Sequence, residues 1–325
     1  MEQPFLMDFH TPDNIWTIFS GVTDFESYAE KFVVKGRFHK DVPPEVGEGY
    51  AIAEHIMAHA YYHYPAMDEA LVKLLRVLEM AVKMRCKALG IALEILDNKG
   101  KARKKVLNTL INELAAKEAA KPTKSTLIWL KDVRNYLMHP SEPSLFGSVA
   151  LGHIRQCVIM LNALFLPERY FEDAKAELER VRSICQSFEE GLFVLEYARH
   201  RYIVYRSESV ETYFVGGKWL ALCAFHAVPA DLKGEVAEGR YPSPLAYRVK
   251  DLRMEDGNIN GTDADSGLPF VLAPTDHPDN KAMLERFEQE KSELDAHQKT
   301  VFQINSNSAV AGMVTKSRYE YWGSQ

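Results

Sequence analysis

Helical periodicity is the feature that most restricts the fold of this chain. Over residues 51–190, apolar residues recur three and four positions apart, which is the spacing of one face of an α-helix. Short breaks interrupt the pattern at Asn98–Lys99–Gly100 and Lys121–Pro122–Thr123. Long helices with short connections favour an antiparallel bundle. We therefore predict a helical bundle over residues 51–190, preceded by an extension, residues 1–50, whose structure the pattern does not define.

Three helices of this bundle are predicted in more detail. The first begins at Asp68, which can cap it, runs to Leu89, where Gly90 interrupts or bends it, and goes on toward Asp97. The second occupies residues 101–121. The third starts near Ser125 and ends at Pro140, because the residue before a proline avoids the helical region.

The character of the chain changes after Gly191. Aromatic and β-branched residues become frequent, which favours strands, and Gly216–Gly217 fits a hairpin turn between two of them. Residues 280–297 return to helical spacing, and residues 301–322 suit one or two strands. We predict a mainly α-helical bundle followed by a smaller α+β domain, residues 191–325, of unknown role.

The composition is that of an ordinary soluble globular protein. The 325 residues are 46% hydrophobic, and the formal charge of −6 argues against a protein that coats nucleic acid without selectivity. The N-terminus lacks a basic segment and an apolar run of signal length, and the most apolar stretch is far shorter than a membrane span. The four cysteines form no CxxC pair, which suits a reducing compartment. We expect a cytoplasmic protein.

The motif that carries most chemistry is Arg134–Asn135–Tyr136–Leu137–Met138–His139. A guanidinium binds phosphate through several N–H donors, and an imidazole titrates near neutral pH, so the pair suits phosphodiester cleavage. Arg-x4-His alone is expected about 0.6 times by chance in a chain of this composition, and requiring Asn after Arg lowers the expectation to about 0.03. The catalytic candidates are therefore Arg134, Asn135 and His139.

This motif, late in a Leu-rich helix, resembles the Arg-x4–6-His motif of the HEPN superfamily, and the resemblance covers about residues 68–166. It implies a metal-independent endoribonuclease without a cofactor, a toxin or antiviral-defence effector restrained by an antitoxin or sensor partner. The implied products are a 2′,3′-cyclic phosphate and a 5′-OH. His139 would move the proton, Arg134 would bind the developing phosphate charge, and Asn135 would orient the phosphate or the histidine.

Helix geometry and charge fit a site shared between two copies acting on RNA. Asn135 and His139 share a helix face, whereas Arg134 lies about 140° from His139 at about 100° per residue. Two facing copies could grip one phosphate, so the expected partners are RNA and a second copy. Between Lys99 and His139, ten Lys/Arg oppose three acids, a net charge of +7. The RNA-binding candidates are Lys104, Lys105, Lys124 and Lys131.

These features also have plainer interpretations. The Arg134/His139 pair fits a helix end where the histidine caps carbonyls and the arginine forms a surface ion pair. The basic run from Lys101 to Lys105 fits a solvated face. The alternative function is therefore a non-catalytic HEPN-like module for dimerisation or RNA binding.

Two further patterns carry no metal assignment. His55, His59 and His63 recur four residues apart, but they form no HExxH motif, because no glutamate follows His55. The neighbouring tyrosines favour packing or an interface. Residues 256–261 open like a calcium loop, but Gly267 stands where the bidentate glutamate should be. We predict a long polar turn there.

Overall fold

The chain divides into two compact units. The computed structural model describes residues 11–96, 98, 100–138 and 147–325. The first unit comprises Met1–Glu168 with Trp322–Gln325, and the second comprises Arg169–Tyr321. The sequence placed the boundary near residue 190, so a helix that periodicity assigned to the bundle belongs almost entirely to the second unit.

The first unit is built mainly of helices. Its elements are α1 (Asn14–Ser20), α2 (Phe25–Phe32), α3 (Pro44–His59), α4 (Ala66–Ala88), β1 (Glu94–Leu96), β2 (Ala102–Lys104), α5 (Leu107–Lys117), α6 (Lys124–Met138) and α7 (Ala150–Phe165). Helix α4 is central and contacts α3, α5, α6 and α7. The apolar stripe predicted for α4 is buried, as the helical period requires: Leu71, Leu74, Leu75, Leu78, Ala81 and Val82.

The first fifty residues contribute to this core. Helix α3 begins at Pro44. Proline is favoured at the first helical position, because an N–H at that position would have no acceptor within the helix. The buried Trp16 donates its Nε1–H to the carbonyl of Ala60 at 2.8 Å, and its ring lies 4.8 Å from that of Tyr28. Helices α1 and α2, of seven and eight residues, are too short for periodicity to define, and long-range contacts hold them.

The interruption predicted at Gly90 is confirmed, but no helix continues from it toward Asp97, and the helix after Gly100 begins later than predicted. Helix α4 ends at Ala88, and Gly90 adopts a left-handed φ of 71°, which suits a helix terminus and prevents continuation. Strands β1 and β2 then pair in antiparallel fashion. Helix α5 consequently begins at Leu107 rather than at Lys101.

Helix α7 is a core helix of the first unit. The segment Gly147–Phe165 is long and apolar enough to cross a membrane, but 67% of its most apolar window is buried inside the protein. The buried Trp322 also packs against α7 after the chain returns from the second unit. This burial accounts for the apolar composition without a membrane.

The second unit contains a closed antiparallel β-barrel with strand order β3–β4–β5–β6–β7–β8. Its elements are α8 (Glu168–Cys185), β3 (Glu190–Tyr197), β4 (His200–Val215), β5 (Lys218–Ala227), α9 (Leu232–Ala237), β6 (Leu245–Glu255), β7 (Asn258–Asp263), β8 (Pro269–Pro274), α10 (Pro278–Glu293) and α11 (Ala296–Tyr321). Apolar side chains fill the barrel, among them Phe193, Leu195, Phe225 and Phe270. The interior is therefore a packed core.

The prediction of a smaller α+β domain is wrong. Strand β3 pairs with β8, with Leu195 opposite Leu272, and this pairing closes the sheet into a barrel. Residues 301–322, expected to supply strands, lie largely in helix α11. Strand closure joins residues far apart in sequence, so no local pattern reports it.

The two hairpin expectations had different outcomes. The turn at Gly216–Gly217 is confirmed and joins β4 to β5. The long polar turn predicted near Asp256 is wrong, because Asp256 and Gly257 form a two-residue turn between β6 and β7. Both residues have positive φ, 50° and 76°, which is the requirement of the favoured hairpin turn.

Candidate active site

Helix α6 carries the first two residues of the predicted catalytic motif. Its buried residues Leu127, Leu130 and Val133 face the core. Arg134 is half-buried and Asn135 is exposed, both in the last turns before the helix ends at Met138. His139 lies outside the described residues.

The guanidinium of Arg134 is held in place by two neighbours. Its Nη2 lies 2.6 Å from Glu79 Oε2 on α4, and its Nη1 donates to Asn135 Oδ1 at 3.2 Å. The side chains of Arg134 and Glu79 are 24% and 19% exposed, so the ion pair is partly desolvated. The Nε of Arg134 is buried and has no hydrogen-bond partner among the described residues. An unsatisfied donor of this kind costs about 1–3 kcal/mol.

Helix α4 adds further charges beside Arg134. Lys83 Nζ lies 2.5 Å from the other oxygen of Glu79. Arg76 Nη2 contacts Met138 Sδ at 3.6 Å, and Met138 directly precedes His139 in sequence. Lys83 and Arg134 both pair with the carboxylate of Glu79, and Arg76 lies one turn before Glu79 on α4. These four residues carry a net charge of +2. This excess of positive charge is what a phosphate site requires.

Glu79 is ionised at neutral pH. Its burial acts to raise the pKa of the carboxyl group, but the hydrogen bond from Lys83 and the positive charge of Arg134 outweigh burial. The net result is a lowered pKa for Glu79. A permanently charged carboxylate can hold Arg134 in one orientation through the physiological pH range.

The predicted RNA-binding lysines have different environments. Lys131 Nζ lies 2.8 Å from Asp132, and Lys131 lines the same crevice as Arg134. Lys105 Nζ is 2.7 Å from Glu113 and largely buried. Lys104 and Lys124 are exposed. Within the described part of the chain, no contact joins Lys104, Lys105 or Lys124 to Arg134.

The surface around the motif is less basic than the count of residues indicates. Lys121 is buried, with its Nζ 3.0 Å from Glu118 and 2.9 Å from the carbonyl oxygen of Leu164. Burial lowers the pKa of Lys121 to about 8, the ion pair with Glu118 acting in the opposite direction. Arg85 also pairs with Glu118. Lys121 is thus part of the core and does not present its charge to a ligand.

Sequence reasoning missed Arg76, Glu79 and Lys83. These residues stand at positions i, i+3 and i+7 of α4, a spacing that places them on one helix face. This spacing of charged residues is visible in the sequence, but the prediction for α4 used only its apolar residues. Nothing local to α4 identifies Arg134 as the partner of Glu79.

Two exposed aromatic side chains share one face of α6, about 100–120° around the helix from Asn135 at about 100° per residue. Trp129 and Tyr136 are both exposed and seven residues apart, so they share a face. Trp129 stacks on His153 of α7, with ring centroids 4.8 Å apart and planes inclined by 21°. An exposed aromatic face of this kind marks a surface that suits a partner.

The histidine column predicted on α3 is interrupted. Helix α3 ends at His59, so His63 does not continue the helical spacing of His55 and His59. Neighbouring Tyr61 packs on Tyr28, with ring centroids 5.2 Å apart. In residues 11–96, 98, 100–138 and 147–325, no group of three His, Cys, Asp or Glu could hold a metal ion.

Comparison with protein-family models, characterised proteins and solved structures finds no significant match. The resemblance to the HEPN superfamily therefore depends on the Arg134–His139 motif and on its helical surroundings. Residue roles follow from chemistry and geometry alone.

Proposed function

We propose that the first unit is a HEPN-type, metal-independent endoribonuclease that acts as a homodimer in the cytoplasm. Its catalytic residues are Arg134, Asn135 and His139. The observation that carries this proposal is the ion pair between Arg134 and Glu79, which fixes the guanidinium beside the exposed Asn135. His139 follows Asn135 by four residues in the sequence.

The reaction uses the nucleophile that RNA itself carries. The ribose 2′-oxygen attacks the adjacent phosphorus, and the bond from phosphorus to the 5′-oxygen breaks. His139 of one copy removes the 2′-OH proton, and His139 of the second copy protonates the departing 5′-oxygen. Arg134 stabilises the negative charge that develops on the phosphate oxygens, and Asn135 orients them. The products are a 2′,3′-cyclic phosphate and a 5′-OH.

The environment of Arg134 supports a phosphate-binding role. Its buried Nε lacks an acceptor among the described residues, and a phosphate oxygen reached by a small side-chain movement would supply one. Arg76 and Lys83 add positive charge that Glu79 only partly offsets. We include both among the RNA-binding residues, together with the exposed Lys104 and Lys124 and with Lys131.

The aromatic face of α6 supports a dimer. Trp129 and Tyr136 are exposed in the single chain, on a face of α6 about 100–120° from Asn135 at about 100° per residue. Burial of two such rings against a second copy would remove apolar surface from water and bring two motifs together. The four cysteines are free and buried, which is compatible with the reducing cytoplasm.

The test is RNA cleavage in excess EDTA with analysis of the product ends. The wild type should give cyclic-phosphate ends, whereas His139→Ala and Arg134→Ala should give none. His59→Ala, which removes an exposed histidine of α3, is the matched control and should cleave like the wild type. Cleavage by His139→Ala with the same ends would contradict the mechanism.

Expression in bacteria tests the proposed role as a toxin or defence effector. The wild type should arrest growth, and His139→Ala should relieve the arrest at equal levels of folded protein. The second unit would then supply the sensor, an antitoxin-binding surface or an RNA-positioning surface. Equal growth with both proteins would contradict a toxin.

The second candidate is a non-catalytic dimerisation or RNA-binding module. The same ion pair favours it, because a partly buried arginine neutralised by Glu79 also suits a purely structural contact between helices. This candidate predicts RNA binding or dimerisation that survives His139→Ala, with no cleavage by either protein.

A further inference from the structure

The second unit contains a groove that the proposed reaction does not use. It lies between helix α8 and the hairpin of β4 and β5, and its volume is about 460 Å³. This is within the range of about 300–1,000 Å³ typical of small-molecule sites. Three aromatic side chains line it: Tyr170, Phe214 and Trp219.

The three rings are held by the fold. Phe214 and Trp219 are directly opposite each other across the β4–β5 pair, with ring centroids 5.3 Å apart at 60°. Tyr170 of α8 also lies near Trp219, with ring centroids 6.1 Å apart and planes inclined by 37°. Gly216 and Gly217 both have positive φ, which matches a tight hairpin turn and fixes the register of the pair. The ring faces are therefore arranged before any ligand arrives.

The charged groups around the rings are paired with one another. Asp173 lies 3.6 Å from Arg169, and Glu177 lies 2.7 Å from Arg180. A second recess of about 330 Å³ shares Glu177, Arg180 and Trp219 with the groove and also contains Lys218 and Asp251. Lys218 and Asp251 are 3.6 Å apart. The groove lining itself carries two acids and one base, a formal charge of −1. The flanking Arg169, Lys218 and Asp251 pair within the set and bring its formal charge to zero.

A groove with several aromatic faces, whose charged groups are balanced by their partners, favours an uncharged planar ligand. A quaternary ammonium ion would be favoured by net negative charge near the rings, and a phosphate by net positive charge. A heterocycle can instead stack on Trp219, while its edge donates to the carboxylates of Asp173 or Glu177 and accepts from Arg180. We propose that this groove binds a nucleobase.

The base can belong to a free nucleotide or to an unpaired position of an RNA strand. Stacking of this kind is tolerant of base identity and is common to both sources. If the base belongs to an RNA strand, the groove is a positioning site for the RNA substrate. Only this role in positioning depends on the proposed nuclease function.

The experiment uses the full chain carrying His139→Ala, so that RNA remains intact. Saturation-transfer NMR with the four ribonucleoside monophosphates tests free nucleotides, and fluorescence anisotropy with a short labelled single-stranded RNA tests the strand. Tetramethylammonium chloride is the competing probe. Each binding measurement is repeated with Trp219→Leu, which removes the aromatic ring, and with Trp219→Phe, which keeps an aromatic ring at this position. Met254→Ala, an exposed apolar residue of β6 outside the groove lining, is the control.

We expect Trp219→Leu to weaken nucleotide binding about tenfold or more, and Trp219→Phe and Met254→Ala to stay close to the parent protein. Phe214→Leu provides a second test if Trp219→Leu does not fold, as judged by circular dichroism. Equal binding by the parent and both leucine variants, or no binding of nucleotides and RNA by folded protein, overturns the proposal. Binding of tetramethylammonium in preference to nucleotides also overturns it.

The outcome is separable from that of the nuclease proposal. Trp219-dependent nucleotide binding by a protein that never cleaves RNA would leave the groove assignment standing and remove the nuclease. RNA cleavage by the wild type, with no nucleotide or RNA bound in the groove, would support the nuclease and remove the groove assignment.

Discussion

Arg134 of α6 and Glu79 of α4 form an ion pair of 2.6 Å that connects the predicted catalytic helix to the central helix of the first unit. Fifty-five positions separate the two residues, and the contact exists because α4 and α6 pack against each other. The pair gives one carboxylate two cationic partners, since Lys83 also contacts Glu79. This contact holds the orientation of Arg134, to which we assign a catalytic role.

Replacement of Glu79 tests this dependence. Glu79→Gln should lower the free energy of unfolding by about 1–2 kcal/mol, less than for a fully buried pair because both side chains are partly exposed. RNA cleavage should fall about tenfold or more, since a misplaced guanidinium binds the phosphate poorly. Urea unfolding and initial cleavage rates measure both. Glu48→Gln, at an exposed position of α3, should change neither, and an identical response of the two variants would contradict the role of Glu79.

The charges contributed by α4 make a prediction about salt. In the His139→Ala background, Arg76→Gln or Lys83→Gln should each reduce the slope of log affinity for single-stranded RNA against log salt by about 0.7, the value for one lost phosphate contact. Lys105→Gln should leave the slope unchanged, because the Lys105 side chain pairs with Glu113 at 2.7 Å and is only 12% exposed, against 42% for Lys83. Anisotropy titrations at several salt concentrations measure the slopes. If Lys105→Gln reduced the slope more than Arg76→Gln and Lys83→Gln, the RNA-binding surface would instead be the basic run from Lys101 to Lys105.

Two glycines five residues apart should respond in opposite ways to alanine. Gly147 has φ of 53°, and an added Cβ would lie 1.8 Å from the hydroxyl oxygen of Tyr64. That hydroxyl accepts the N–H of Ser148 at 3.0 Å and cannot move without losing the bond. Gly147→Ala should therefore destabilise the protein by about 1–3 kcal/mol.

Gly152 provides the matched comparison. It lies in helix α7 with no atom within 4 Å of an added Cβ. Gly152→Ala should stabilise the protein by about 0.5–1 kcal/mol, because alanine loses less backbone entropy in a helix. Denaturant unfolding of both variants measures the difference. Two changes of the same sign would mean that the turn at Gly147 is not strained.

The buried His39 should make stability depend on pH. Its Nε2–H donates to the carbonyl oxygen of Asn162 at 3.0 Å, and its Nδ1 accepts the N–H of Asp41 at 3.3 Å, so the neutral ring satisfies both neighbours. Burial lowers the pKa of His39, and the charge of Asp41 and the bond to Asn162 offset this only in part. Below the unfolded value of about 6.5, the unfolded chain binds more protons than the folded one. The stability contributed by neutral His39 is therefore complete above about pH 6.5 and is lost as the pH falls toward the folded pKa.

His39→Gln isolates this contribution from the other titrating groups. The difference in unfolding free energy between the wild type and His39→Gln should be largest near pH 7.5 and should shrink toward about pH 5. Urea unfolding across this range measures it. A difference that is constant with pH would show that His39 is not held in its neutral form.

Helix-forming patterns in the first unit could be interpreted directly from the sequence. The buried stripe of α4 and the turn at Gly216–Gly217 are confirmed, because each depends on residues within a few positions of one another. The missed elements are of a different kind. Strands β1 and β2 are three residues each and exposed, so neither length nor alternation marks them. Helix α11 mixes polar and apolar residues without a clear face, which made strands an equally good interpretation of its sequence.

The sequence by itself placed Arg134 and Asn135 in the last turns of a helix and predicted that strands follow the helical part. Only the tertiary structure decided that β3 and β8 close a barrel, that Glu79 and Lys83 join Arg134, and that Lys121 is buried. The physical reason is the range of the interactions. Backbone geometry and side-chain periodicity act over a few residues, whereas ring closure, ion pairing between helices and desolvation depend on groups that only the folded chain brings together.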